Sequence, residues 1–425
     1  MKLLCALSDY TFSDSKDVTE VVLYSRADRQ TRGSAGAAIK EEIAHRRLHP
    51  APKAWDFLSL ALAVIAADLA GHRTKSPDGW TREFELDVAV ADPAFWNAQR
   101  DLVSHLLGFL TTDVWKLNFI DGGYSPKPPD KLCLPSEDCV SLLSGGLDSF
   151  IGNVDLVSRG KRPFVVSQTV VGDAENQRTF AQVLGGGLRH LQMNHNAEVP
   201  KPETPSTQRA RSLIFLAYGT LAATTLKLYH DGGTATLYVC ENGFISINPP
   251  LTAMRLGSLS TRTTNPVFLS LIHQLFDAAG LRVRLENPYQ LKTKGEMLKD
   301  CADQTLLAKY ACETTSCGRY LIHGHTHCGR CVPCLVRRAA FRAAGMNDTT
   351  KYVFEKLGRD DSDYAGFDDV RSVAMALAEV DADGLERWLG ASLSTTLLGD
   401  VTPLQAMIGR GLEELRLLLN AYGVK

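Results

Sequence analysis

No apolar run in the 425-residue sequence is long enough to cross a bilayer; the longest, Phe57 to Ala67, falls well short of the roughly 20 residues required. No charge dominates either, since 46 Lys and Arg stand against 48 Asp and Glu for a formal net charge of -2. That balance excludes bulk electrostatic binding of nucleic acid but leaves room for a local basic pocket. The opening apolar run ends at Asp9, too early for the apolar region of a signal peptide, so a cytoplasmic location is expected. Nor are the ten cysteines spread as a disulfide framework would be. No repeat or low-complexity tract stands out. What is present is a globular composition, 44% hydrophobic and 22% charged, at a length that favours two or three domains.

Residues 1–135 read as an N-terminal accessory domain of α/β or α+β type. Glu20 to Ser25 and Arg82 to Val90 have strand patterns, and Trp55 to Leu69 has helical spacing ending at Gly71. Asp92-Pro93 opens a second helix, aspartate capping and proline in the first turn. Gly122 to Pro129 has linker composition and marks the boundary. Residues 136–345 alternate strand and helix: Cys139 to Leu143, Pro163 to Val166, Thr236 to Cys240 and Leu281 to Leu285 as strands, Ser212 to Leu228 as helix. Such alternation implies a parallel sheet with helices on both faces. Residues 346–425 are mainly helical, through Asp369 to Leu389 and Pro403 to Ala421.

The strand Cys139 to Leu143 runs directly into Ser144-Gly145-Gly146-Leu147-Asp148-Ser149, and a helix comes next. Two glycines let the backbone approach a ligand, and the helix start offers free N–H groups to an anion. Ser144 and Ser149 add hydroxyl donors, and Asp148 either caps the helix or helps hold a magnesium ion. The turn lacks the Gly-Lys-Ser/Thr ending of a Walker loop. Cys317, Cys328, Cys331 and Cys334 form a C-x10-C-x2-C-x2-C pattern that suits a closed tetrahedral zinc shell, with an iron–sulfur cluster as rival. His323, His325 and His327 between the first two cysteines read as loop residues, one of which can serve an active site.

The turn resembles the SGGxDS pyrophosphate loop of PP-loop (HUP/Rossmann-like) ATPases, which cleave ATP between the α- and β-phosphates. Together with the cysteine motif it resembles the 7-cyano-7-deazaguanine synthase (QueC) family. Thr315-Ser316-Cys317, Cys328 to Phe341 and Leu291 to Met297 carry the likeness, over roughly residues 138–345. The resemblance implies ATP, Mg2+ and Zn2+ as cofactors and a phosphate-binding role for Lys294. It places Arg211 where the family has an arginine, here orienting substrate or phosphate, and Asn242 where it has an asparagine.

Ala210-Arg211-Ser212 departs from the family's Gly-Arg-Asn, and Thr263 to Pro266 matches its Asp-Cys-Arg-Pro poorly. The added regions resemble the QueC-like proteins of bacterial anti-phage systems, notably the Qat system. That likeness implies a ligase: ATP-dependent activation of a 7-deazaguanine carboxylate, then attack by an amine, the N-terminus of a protein partner from the same operon being one such acceptor. A homodimer is a separate expectation for the assembly. The alternatives are the ordinary nitrile-forming synthase, a tRNA sulfur-transfer enzyme and a nucleotide-binding scaffold.

Overall fold

The computed structural model describes residues 1–13, 17–28, 30–169, 172–203, 209–252, 262–358, 369–393 and 396–424. It is a mixed α/β protein with two five-stranded sheets. The first contains β1 (Lys2–Ala6), β2 (Val18–Leu23), β3 (Gly33–Ala35), β4 (Glu83–Ala89) and β5 (Val114–Ile120). The second contains β6 (Cys139–Leu142), β7 (Pro163–Gln168), β8 (His190–Met193), β9 (Ala235–Tyr238) and β10 (Val283–Glu286). Every pairing in both is parallel. The strand orders are β3-β2-β1-β4-β5 and β8-β7-β6-β9-β10. Numbered within its own sheet, each therefore runs 3-2-1-4-5, with one reversal of winding between its first and fourth strands.

Burial patterns reflect the covering of each face. β6 and β7 are buried at every residue, as strands between two helical layers are. β5 alternates instead, with Trp115, Leu117 and Phe119 buried and Val114, Lys116 and Asn118 exposed. One face of that strand is packed and the other meets water. The first region is thus α/β with a wholly parallel sheet, not a segregated α+β arrangement.

The seam between the regions is apolar. Helix Pro52–Ala70 buries 16 of its 19 residues, and Arg211–Ala223 buries all but its first. The two pack on each other, and one buried cluster runs from Leu3 and Phe84 through Phe57 to Leu216 and Phe164. A buried charged knot adds to it: Arg82 pairs with Asp68 at 2.6 Å and Asp113 at 2.7 Å, and Arg209 donates to the Thr111 carbonyl at 2.7 Å. Pairing matters here because an uncompensated buried charge costs several kcal/mol.

Asp92 caps its helix through the Phe95 N–H with Pro93 in the first turn, as the sequence pattern predicts. The span Asp369 to Leu389 is two helices, Asp369–Asp383 and Leu385–Leu393, because Gly384 takes a left-handed φ of 84°. Among the described residues no helix is long and apolar enough to cross a membrane.

Candidate active site at the second sheet's switch point

β6 and β9 are neighbours whose crossovers leave in opposite directions, which opens a crevice at their C-terminal ends. A cleft of about 270 Å³ lies there. Its walls include Ser144, Gly146, Leu147, Asp148 and Ser149 after β6, Cys240 and Glu241 after β9, Lys294, and Thr315 and Ser316. The glycine turn is prebuilt: Gly145 has φ 89°, and the Ser144 and Ser149 hydroxyls bond each other at 3.0 Å. Gly146 N–H donates to Ser144 Oγ at 3.2 Å, and Ser149 Oγ donates to the Gly146 carbonyl at 2.9 Å. Helix Leu147–Ser158 starts at this point, so its positive end faces the cleft.

Asp148 is not the helix cap. The cap position is Gly146, which uses no side chain, and Asp148 sits inside the first turn. Its Oδ1 accepts from Lys294 Nζ, and its Oδ2 accepts from Asn242 Nδ2 at 2.7 Å and Asn242 N–H at 3.3 Å. Aspartate thereby fastens the lysine to the cleft wall, leaving two of its three ammonium donors for a ligand. Lys294 opens helix Lys294–Asp300, whose capping box is made by Thr293 and Glu296. Asn242, placed only by resemblance, caps its own short helix through the Ile245 N–H.

Arg211 stands apart from this group. It opens helix Arg211–Ala223 and does not line the cleft; its charge acts on Asp173 and His195. Asp173 in turn accepts from the Thr315 hydroxyl at 2.7 Å, which links that side of the sheet end to the cleft wall. Burial pushes His195 down to about 4.

The four cysteines converge. Their Sγ atoms lie within 4.8 Å of one another, all four residues are buried, and two pairs stand at 3.9 Å. Tetrahedral thiolates at about 2.3 Å from an ion would be about 3.8 Å apart, so the set is compatible with a zinc site. Backbone N–H groups of Arg319 and Cys328 point at Cys317 Sγ, both at 3.3 Å, and that of Cys331 at Cys328 Sγ at 3.2 Å. Such donors favour the thiolate form a metal needs. The histidines are outside the set: His327 accepts the Ser316 N–H at 3.1 Å and burial holds it down to about 4.

This cluster is wired to the cleft. Thr315, two residues before Cys317, donates its N–H to the Gly145 carbonyl at 3.0 Å. Arg337, on the helix after Cys334, donates to Thr314 Oγ1 at 2.9 Å and Ser316 Oγ at 3.1 Å.

Two carboxylates at this site are not picked out by the sequence motifs. Glu241 lines the cleft and is pushed up to about 7, by desolvation first and the Asp148 charge second, against the opposing pull of Thr264 and Lys294. Glu414, on helix Thr402–Ala421, reaches the start of the lysine helix, accepting from Thr293 Oγ1 and from Gly295 N–H at 3.3 Å. Burial pushes it up to about 7 as well. Glu241 directly precedes Asn242, which the resemblance places, and that adjacency is its one sequence signal; Glu414 has none.

The chain is similar to curated 7-cyano-7-deazaguanine synthases. It is 22% identical to the one from Methanocaldococcus jannaschii over 241 residues, 50% of this chain and 98% of the relative. Identity to the Paracoccus denitrificans protein is 37% over 90 residues, 20% of this chain and 36% of the relative. For the Rhizobium rhizogenes protein it is 29% over 163 residues, 37% of this chain and 57% of the relative. The last two matches span less than two thirds of those relatives. No protein-family model matches the chain, and no solved structure matches it.

Proposed function

We propose that this protein uses ATP to activate a 7-deazaguanine carboxylate as an acyl-adenylate and passes the acyl group to an amine, making a C–N bond. The observation that carries the reading is the placement of Ser144–Ser149 and Lys294 on one cleft at the switch point, at the start of a 12-residue helix. Similarity to deazaguanine synthases supports the substrate class.

The carboxylate oxygen attacks the α-phosphorus and pyrophosphate leaves. The glycine turn and helix start hold the phosphate oxygens, and Lys294, anchored by Asp148, offsets their negative charge. Magnesium bound with ATP would supply further charge compensation. Zinc is the ion proposed for Cys317, Cys328, Cys331 and Cys334, in a structural role because four thiolates leave it no open position. Arg211 is proposed to act on substrate through Asp173 and Thr315. The catalytic unit is residues 136–345, with 1–135 and 346–425 as additions to it.

The reading extends to an anti-phage setting in which the acceptor is the N-terminus of a partner protein from the same operon, as the resemblance implies. Exchange of labelled pyrophosphate into ATP, dependent on 7-carboxy-7-deazaguanine, tests the first half. Mass spectrometry of the operon partners after incubation tests the second, since a free cyano-base points instead to the reaction named for the relatives. No substrate-dependent exchange would remove the adenylation reading.

A further inference from the structure

The transfer step asks for a group that accepts a proton, because an attacking amine must shed one to become an amide. Most cleft-lining groups are committed elsewhere. Both oxygens of Asp148 are engaged by Lys294 and Asn242. The Ser144 and Ser149 hydroxyls hold each other. Burial pushes the Cys240 thiol well above its ordinary range, so it stays protonated.

Glu241 differs. Its backbone is clamped by one side chain, Asn287, which accepts from the Glu241 N–H at 3.3 Å and donates to its carbonyl at 2.8 Å. Its Oε2 accepts from the Thr264 hydroxyl, and the Thr264 carbonyl is held by Ser246 Oγ at 2.6 Å. Oε1 takes no hydrogen bond among the described residues, on a side chain that lines the cleft with Lys294. The residue is therefore held at three points, two on its backbone and one at Oε2, with Oε1 left over.

We propose that Glu241 is the general base of the transfer step, accepting at Oε1 the proton of the amine that attacks the adenylate. This rests on the proposed adenylation. The nitrogen lone pair forms the N–C bond, the C–O bond to phosphorus-bound oxygen breaks with its electrons leaving on AMP, and the proton moves from nitrogen to Glu241. The charged groups facing the carboxylate are Asp148, which raises its proton affinity, and Lys294, which lowers it; the neutral Thr264 hydroxyl also lowers it. A value of about 7 suits a base working near neutral pH.

The test uses the full chain with Glu241→Gln, which keeps an oxygen for Thr264. Pyrophosphate exchange and amide formation from ammonium are measured across pH. Amide formation should fall about 10²-fold relative to exchange and lose its rise through neutral pH. Hydroxylamine, whose nitrogen adduct is acidic enough to lose its proton to water, should restore much of the transfer. A second variant, Thr264→Val, removes the bond that favours the charged form and should shift the wild-type transfer profile to higher pH. Exchange retained with transfer undiminished in Glu241→Gln, or a profile unmoved in Thr264→Val, overturns the proposal while adenylation stands. Absence of exchange in the unmodified protein removes both.

Discussion

The two sheets share a strand order and differ in the segment that leaves the first strand. After β6 the chain makes a Gly-Gly turn and enters a 12-residue helix. After β1 it runs from Leu7 to Asp17 without a helix among the described residues and returns as β2. The second sheet is buried on both faces along β6 and β7, whereas β4 and β5 of the first keep alternate residues in water. Strand order alone thus does not bring a helix start to the switch point, where the proposed nucleotide site of the second sheet takes its donors. The donors come from the helix start, and the first sheet has none at the equivalent place among the described residues.

Replacing Asp148 with alanine should break the comparison most severely. Lys294 would be left as a buried charge without its partner, costing about 3–5 kcal/mol of stability, and pyrophosphate exchange should vanish while metal content persists. Retained turnover would sink the site assignment. Metal removal, by chelation or Cys331→Ser, should come next. Thr314 to Ser316 would lose their anchor, exchange should fall, and Tm should drop by about 1 °C for each kcal/mol lost in a chain of this length. Calorimetry with metal analysis reads both.

A smaller effect is expected from Glu414→Gln. A carboxyl whose folded value is raised to about 7 contributes stability that is complete in acid and is lost as pH rises through that value. The unmodified protein should therefore lose Tm between about pH 5 and pH 8, and the variant should lose less. Equal slopes would show that Glu414 is not buried against the lysine helix. The smallest effect belongs to Asp9→Ala, in the loop after β1. Exchange should be unchanged there, and any loss would mean that the first sheet contributes to the proposed reaction.

The chemistry legible in sequence is the chemistry that sits close along the chain. The glycine turn is six consecutive residues between a strand and a helix, and three cysteines lie within seven. Asp148 is visible as part of the turn, but its role is not, because its partners Asn242 and Lys294 lie 94 and 146 residues away. Glu241 and Thr264 meet across 23 residues, and Thr293 and Glu414 across 121. No periodicity encodes such meetings. β8 escapes because His190–Met193 buries only Leu191 and Met193, with partly exposed His190 and Gln192 breaking the apolar run. The shared strand order is invisible too, since two sheets with different covering have different hydrophobic patterns.

The apolar seam has a consequence for how such a chain can change over time. Helix Pro52–Ala70 is buried on nearly all sides, and much of what it meets belongs to Arg211–Ala223. A recombination that imported a new first sheet would have to import a matching face for that helix at the same moment. The two halves are therefore expected to be inherited as one unit, and to accept substitutions at the seam in compensating pairs.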